Sequence, residues 1–217
     1  NLAEVNKELQ ELYDLEGSDK MQILKLLTRL RQLCLEPRLV YDNIDQPSSK
    51  LKACMELIKT MQENKQKVLL FSSFTSVLDL IAEECQKAGI TYYMLTGSTN
   101  KEDRRELVSR FQKDDTTVFL ISLKAGGTGL NLTSAEAVIH FDPWWNVSAQ
   151  NQATDRAYRI GQKNNVQVFN LVMKDSVEEK IIELQKRKKE LADMFVENNS
   201  GGLSQMSKED ILSLFTM

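Results

Sequence analysis

Short apolar segments alternate with amphipathic segments through the middle of the chain, and this alternation constrains the fold more than any other feature. The apolar segments are Lys67–Phe71, Thr91–Leu95, Thr117–Ile121, Ala137–Phe141 and Val166–Val172. Helical periodicity marks Ser49–Gln62, Thr75–Ala88, Lys101–Gln112 and Ser148–Tyr158. Short apolar strands separated by helices are typical of a parallel sheet covered by helices on both faces. The pattern therefore predicts an α/β fold whose ligands bind at the carboxyl ends of the strands.

Helical patterns also flank the predicted sheet. Residues 1–35 form two apolar stripes that are separated at Gly17, and Pro37 follows the second. A polar helix is predicted over Val177–Val196, with a small capped helix near the end of the chain. We predict a helical lead-in over 1–48, an α/β lobe over 49–173, and brace and terminal helices over 174–217. Because Asn1 is not methionine and lies in a helical pattern, we interpret the chain as a piece of a longer polypeptide. We expect this piece to be monomeric.

Composition excludes several function classes. A net charge of −3 and a pI near 5.4 exclude a uniformly basic nucleic-acid binder, although a local positive groove stays possible. Three cysteines without Cys-x-x-Cys spacing and a single histidine, His140, cannot build a standard zinc site. No apolar run has the length of a membrane span. We expect an intracellular protein with reduced cysteines, no structural metal and no membrane contact.

A glycine-rich turn follows the third predicted strand. Three glycines fall within Gly126–Gly129, directly before apolar Leu130. Backbone amides exposed in such a turn approach anions closely, and Lys124 and the Thr128 hydroxyl would add to the attraction. The turn is equally compatible with a tight connection that binds nothing.

Two arginines stand out in the fourth predicted helix. Gln152, Arg156 and Arg159 are spaced i, i+4 and i+7, so a helix over Ser148–Tyr158 would place them on one face. Neighbouring guanidiniums repel each other unless an anion lies between them, and their planar forks suit phosphate oxygens. Alone, the pair is compatible with a solvated helix in which Asp155 pairs with Arg159. Together with the glycine turn, it favours arginine fingers that act on a transferring phosphoryl group.

Hydroxyl and aromatic side chains follow other strand ends. Ser72-Ser73-Phe74-Thr75 and Thr96-Gly97-Ser98-Thr99 offer hydroxyls that either cap helices or bind phosphate. The pair Trp144-Trp145 offers one indole for packing and one for stacking on nucleic acid. His140 lies in an apolar strand, where we expect a core residue.

Parts that phosphoryl transfer needs are missing from the sequence. No Gly-x-x-x-x-Gly-Lys-[Ser/Thr] occurs, and no Asp-Glu pair ends an apolar strand. These groups hold phosphate and metal and position water in P-loop enzymes. We therefore expect the chain alone not to hydrolyse ATP at a useful rate.

Several of these segments together carry a resemblance to a known family. The segments are Lys67–Phe74, Leu95–Thr99, Leu123–Leu132, Phe141-Asp-Pro-Trp-Trp-Asn146 and Gln152–Gln162, the last containing Asp-Arg-Ala-Tyr-Arg-Ile-Gly-Gln. They resemble the second RecA-like lobe of Snf2-family helicase-like ATPases, over roughly residues 20–195. Tyr158 stands where the family often has histidine, and Trp144 and Val147 replace acidic and proline residues that are frequent beside Trp145.

The resemblance implies a motor that translocates on double-stranded DNA, in the nucleus of a eukaryote or in the cytoplasm or nucleoid of a bacterium. It implies catalytic roles for Gln152, Arg156 and Arg159, and nucleotide contacts at Gly127, Thr128, Gly129, Asn131 and Asp155. DNA contacts are implied at Ser72, Ser73, Phe74, Gly97, Ser98, Thr99, Ser122, Lys124, Ala125, Gly126 and Trp145. ATP with Mg²⁺ would be held mainly by an N-terminal RecA-like lobe of the same polypeptide. The alternatives are a lobe of an RNA helicase and a non-catalytic nucleic-acid or protein-binding module with this fold.

Overall fold

A five-stranded sheet in which all strands are parallel forms the centre of the fold. In the computed structural model, which describes residues 20–126, 132–144, 146–155, 157 and 166–197, the strands run in the order β2-β3-β1-β4-β5. Their bounds are β1 Val68–Ser72, β2 Tyr92–Leu95, β3 Val118–Ser122, β4 Ala137–His140 and β5 Gln167–Asn170. The predicted α/β class and parallel sheet are confirmed.

Burial follows the position of each strand in the sheet. Every residue of β1, β3 and β4 is buried, and these strands consist mainly of Val, Leu, Ile and Phe. Strands covered on both faces are expected to be continuously apolar, which is why no polar alternation marks them. The edge strand β5 is mostly exposed, and Val168 is 39% accessible. The core therefore lies around β1, between β3 and β4.

Helices connect and cover the strands. Their bounds are α1 Lys20–Leu35, α2 Ser49–Glu63, α3 Thr75–Lys87, α4 Lys101–Lys113, α5 Leu123–Gly126, α6 Val147–Thr154 and α7 Val177–Glu197, with a 3₁₀ turn at Pro37–Leu39. Most predicted boundaries agree with these to within two residues. The exception is the helix predicted over Ser148–Tyr158, which ends at Thr154. The helices predicted before residue 20 and after residue 197 lie outside the described residues.

Local chemistry explains several helix ends. Ser48 caps α2, since its Oγ accepts from the backbone N–H of Leu51 at 3.1 Å. Asn100 caps α4 by accepting from the N–H of Asp103 at 2.8 Å. Side-chain oxygens at this position satisfy amides that have no partner within the helix.

Lys67 ties α4 to the amino-terminal edge of the sheet. Its Nζ donates to the carbonyl oxygens of Phe111 and Asp114, and it lies over the Phe111 ring at 4.8 Å from the centroid. A cation at this place satisfies carbonyls at the helix C-terminus and interacts favourably with the helix dipole. Partial burial lowers the pKa of this amine, against the opposing charge of Asp114.

The described residues divide into two compact units. One is Gln46–Val172, which contains the sheet with α2 to α6; the other takes in residues up to Asp45 and from Met173 onward. Within the second unit α1 contacts α7. The domain boundaries predicted after residues 48 and 173 stay a prediction. In the part of the chain that the structure describes, every helix is too short or too polar to span a lipid bilayer.

Candidate nucleotide and nucleic-acid site

The carboxyl ends of the parallel strands bring the predicted site segments to one edge of the sheet. In the strand register, Ser72 at the end of β1 lies beside Ser122 at the end of β3. Phe71 lies beside His140, the last residue of β4. The chain leaves β1 into Ser72–Thr75, called the serine turn below, and leaves β2 into the Thr96–Thr99 loop. It leaves β3 into the segment that contains the glycine-rich turn, and β4 into the segment that contains the two tryptophans. Ligands of such sheets bind at this edge.

Asp142 holds the exit of β1 against the exit of β4. Its Oδ1 accepts from the Ser72 hydroxyl at 2.7 Å and from the Ser73 backbone N–H at 3.0 Å, and its Oδ2 accepts from the Ser73 hydroxyl. The carboxylate is 1% exposed, so these hydrogen bonds satisfy a charge that has been removed from water. Asp142 therefore fixes the backbone at the start of the serine turn.

This clamp separates the roles of the serine turn residues. Ser72 is buried, and its Oγ also accepts from the Phe74 N–H at 3.2 Å. Its hydroxyl is thus used inside the protein, and the geometry does not favour its predicted contact with DNA. Ser73 and Phe74 are half-buried. They remain the members of this turn whose predicted DNA contact is compatible with their exposure.

The Thr96–Thr99 loop closes on itself and leaves its tip open. The backbone N–H of Thr96 donates to the Thr99 Oγ1 at 3.1 Å, while the hydroxyls of Thr96 and Ser98 lie 2.8 Å apart. Gly97 and Ser98 are exposed, and a Cβ placed on Gly97 would meet no atom within 4 Å. The loop is preorganised, with space for a ligand backbone to approach.

The residues after β3 form the short helix α5, which is held at both ends. The Ala125 N–H donates to the buried Ser122 Oγ at 3.3 Å, and the Arg104 guanidinium of α4 donates to the Ala125 carbonyl at 3.1 Å. Lys124 is exposed, whereas Ser122 and Ala125 are buried. Of the predicted DNA contacts here, Lys124 alone presents an exposed side chain. Gly126 ends the helix, and the remaining predicted positions Gly127, Thr128, Gly129 and Asn131 lie outside the described residues.

A hydrogen-bonded chain fixes the start of α6. The backbone N–H of Trp144 donates to the Gln150 Oε1 at 3.3 Å, and the Gln150 Nε2 donates to the Asn170 Oδ1 at 2.9 Å. The Trp144 ring packs on the core around β1 and β3, as one of the two tryptophans was expected to do. Trp145 lies outside the described residues.

His140 joins the end of β4 to the end of α6. Its Nε2 lies 2.8 Å from the Thr154 Oγ1, and its ring stacks on Phe71 with centroids 5.6 Å apart. The side chain is buried, as the apolar strand predicted. Burial lowers its pKa to about 4, although the negative charge of Asp142 opposes that shift. The imidazole is therefore neutral near pH 7.

The end of α6 changes the geometric argument for the arginines. The Thr154 hydroxyl lies 3.3 Å from the Gln150 carbonyl and competes with the backbone for it, and a turn follows at Asp155 and Ala157. The helix predicted over Ser148–Tyr158 therefore ends earlier than expected, at Thr154. Gln152 and Asp155 are exposed. Arg156 and Arg159 lie outside the described residues.

Sequence reasoning assigned no role to Asp142, Gln150 or Arg104. For Asp142 a signal existed, since an acidic residue directly after one buried strand and paired serines after another predict an interaction across adjacent strand ends. Gln150 and Arg104 act over distances that no local pattern reports. Among the described residues, no three side chains of the metal-ligating types come together as a cation site.

Comparison with known proteins decides the family. Residues 49–161 match the model of the helicase conserved C-terminal domain. The chain superposes with a TM-score of 0.76 on the Sulfolobus solfataricus SWI2/SNF2 ATPase core in complex with double-stranded DNA, at 31% identity, covering 98% of this chain and 46% of that one. The chain is a Snf2-family helicase C-terminal lobe.

Two further relatives show how much of such a protein the lobe represents. The isolated C-terminal domain of the Sulfolobus solfataricus SWI2/SNF2 ATPase matches with a TM-score of 0.74 and 28% identity, covering 98% of the lobe and 91% of that domain. An uncharacterized ATP-dependent helicase of Mycoplasma pneumoniae is 37% identical over 98% of the lobe. The lobe spans 21% of that helicase's length, or about a fifth.

Proposed function

We propose that the lobe supplies half of an ATP-driven motor that moves on double-stranded DNA. The observation that supports this most directly is the meeting of the serine turn, the Thr96–Thr99 loop, α5 and the start of α6 at one edge of the sheet. The Sulfolobus relative with the same fold is named for its complex with double-stranded DNA. The first three segments would track the phosphate backbone, and α6 would lead to the nucleotide.

The chemistry of the edge suits a DNA backbone. Lys124 and Lys101 are exposed cations beside α5 and the Thr96–Thr99 loop, and Gly97 leaves room for close approach. Groups of this kind bind phosphate without reading bases, so we propose sequence-independent binding. Because the net charge of the chain is −3, attraction to DNA would depend on this local positive patch.

ATP and Mg²⁺ would lie against residues that follow β3 and α6. The exposed amide of Gln152 and the guanidiniums of Arg156 and Arg159 are the donors that phosphate oxygens prefer, and Gly127, Thr128, Gly129, Asn131 and Asp155 complete the proposed set. Bound there, the nucleotide would supply the phosphoryl group whose negative charge the arginines stabilise. ATP and Mg²⁺ would be held mainly by an N-terminal RecA-like lobe of the same polypeptide, which would carry the Walker A lysine, and the C-terminal lobe alone would be inactive.

Salt dependence of DNA binding tests the proposed track. In the full-length protein that contains the lobe, Lys124→Ala should reduce the slope of log Kobs against log salt by about 0.9, because one phosphate contact is lost. Gly97→Val should weaken binding with little effect on stability, since Gly97 is exposed and a Cβ there meets no atom within 4 Å in the free lobe. Lys87→Ala is the matched control, because this exposed lysine pairs with Glu84 near the end of α3, away from the carboxyl edge.

The outcomes separate the proposal from its alternatives. Unchanged slope and affinity in Lys124→Ala and Gly97→Val would remove the DNA track from this edge. Tighter binding to duplex RNA than to duplex DNA of the same length would favour the RNA helicase alternative. Binding that ATP analogues do not alter would favour a non-catalytic module.

A further inference from the structure

We propose that His140 is a positioning residue that sets the end of α6, which directly precedes Arg156 in the sequence, through a hydrogen bond to Thr154. This inference rests on the proposed function, because it concerns the same nucleotide site. His140 ends the buried strand β4, while Thr154 ends α6. The pair thus connects a rigid part of the sheet to the last residue before the turn at Asp155.

The donor and acceptor roles in this contact follow from the surroundings. Thr154 Oγ1 lies within reach of both His140 Nε2, at 2.8 Å, and the Gln150 carbonyl, at 3.3 Å. Since the carbonyl only accepts, the threonine hydroxyl donates to it and accepts from His140 Nε2–H. The opposite tautomer would leave an N–H at Nδ1, and this buried atom has no hydrogen-bond partner among the described residues. An unpaired buried N–H is less tolerated than an unpaired acceptor, which favours the Nε2–H form.

The ring itself has little freedom to move. It is 1% exposed and stacked on Phe71 of the central strand at an interplanar angle of 24°. The parallel register places these two residues side by side, so the stacking follows from the sheet. A donor on a fixed ring defines the position of its acceptor more sharply than a donor on a flexible side chain does.

Two anchors therefore flank the position of Arg156. Thr154 is held by His140, and Ala157 is fully buried in the core cluster around β1 and β3. Only Asp155 and Arg156 separate these anchors along the chain. Small displacements of catalytic groups cost large factors in rate, so the anchors would matter for turnover more than for affinity.

Kinetics of the full-length protein that contains the lobe test this inference. His140→Phe keeps the stacking ring and removes the donor, Thr154→Val keeps the shape and removes the acceptor, and His140→Gln restores an N–H donor. We expect kcat for duplex-stimulated ATP hydrolysis to fall by roughly 10- to 100-fold in the first two variants. The double variant His140→Phe/Thr154→Val should have a kcat no lower than either single variant, since both substitutions remove the same hydrogen bond. His140→Gln should recover part of the loss, while the Kd for DNA stays within about twofold.

A matched control separates positioning from stability. In the wild-type protein the Thr117 backbone N–H donates to the Thr91 Oγ1 at 3.1 Å, at the amino-terminal edge of the strands. Thr91→Val removes this hydrogen bond, so it should lower stability and leave kcat unchanged. Unchanged kcat in His140→Phe, additive losses in the double variant, or an equal loss in Thr91→Val would each overturn the inference. Absence of hydrolysis in the unsubstituted protein would contradict the proposed function as well, whereas hydrolysis insensitive to His140→Phe would contradict this inference alone.

Discussion

Asp142 shows how one buried carboxylate organises two strand exits. Asp142→Ala would leave the Ser72 hydroxyl and both donors of Ser73 without this acceptor, and water could not replace it at the fully buried Ser72 hydroxyl. We expect the free energy of unfolding to fall by about 3 kcal/mol, since each donor loses a charge-assisted hydrogen bond. Urea denaturation measures this, with Asp79→Ala on the exposed side of α3 as the control. A loss of unfolding free energy for Asp142→Ala no larger than that of the control would contradict the stabilising role of the hydrogen bonds from Ser72 and Ser73 to Asp142.

His140 gives the chain a pH-dependent stability that a single substitution isolates. Burial lowers its pKa from 6.5 to about 4 in the folded state, so between these values the unfolded chain binds a proton that the folded chain does not. The contribution is fully present above pH 6.5 and is lost as the pH falls towards 4. We expect a loss on the order of 3 kcal/mol from this residue.

Denaturation at pH 7 and pH 4.5 checks that expectation. His140 is the single histidine of the chain, so the wild-type stability minus that of His140→Phe isolates its titration from the carboxyl groups. The difference between the two proteins should shrink or reverse as the pH falls. A difference that is independent of pH would show that His140 has an ordinary pKa in the folded state.

At the scale of single residues, the sequence predicted which side chains are buried better than it predicted their hydrogen-bond partners. His140 was expected in the core because it lies in an apolar strand, and it is buried there. One of the two tryptophans was expected to pack, and Trp144 packs against the core while it stays half-buried. The partner of Asp142 could not be derived, because it depends on which strands are neighbours. That order is a property of the tertiary fold, since β1 and β4 are separated by two other strands in the sequence.

At the scale of elements, two helices end with the same geometry and different residues. The N–H of Gln66 donates to the Met61 carbonyl after α2, and that of Ile90 donates to the Cys85 carbonyl after α3, each at 2.9 Å. The residue with positive φ is Lys65 in the first case, at 56°, and Gly89 in the second, at 67°. Both ends are Schellman motifs, which favour glycine at this position.

These two ends predict stability changes of opposite sign. Lys65→Gly should raise the free energy of unfolding by about 0.5–1 kcal/mol, because the relief of left-handed strain exceeds the added chain entropy. Gly89→Ala should lower it by about 1 kcal/mol through backbone strain alone, since no atom lies within 4 Å of the added Cβ. Thermal unfolding of both variants measures these stability changes. Changes of the same sign would show that contacts other than the backbone conformation determine the stability of these helix ends.

Helix ends also mark the limit of the sequence prediction for elements. Gly89 and Pro37 allowed the ends of α3 and α1 to be predicted, because each residue restricts the backbone by itself. The end of α6 was wrong by four residues, since no glycine or proline marks it. The last residue, Thr154, contacts His140, which lies fourteen residues earlier in the chain, and no local pattern reports such a contact.

At the scale of the whole molecule, the fold class could be predicted because apolar strands and helices alternate without interruption. The strand ends then had to meet at one edge, which brought the predicted DNA segments together. The role of the arginines could not be derived in the same way, because their geometry depended on a helix that ends before them.

The account of an ATP-driven motor that moves on duplex DNA is tested most directly by ATP hydrolysis in the full-length protein that contains the lobe. Turnover is measured with and without duplex DNA, for the unsubstituted protein and for Arg159→Ala, together with the Kd for DNA. We expect duplex DNA to stimulate turnover and Arg159→Ala to lower it by about 10³-fold or more with DNA binding unchanged, because the arginine acts mainly in the transition state. Turnover that duplex DNA does not stimulate, or that survives in Arg159→Ala, would contradict it.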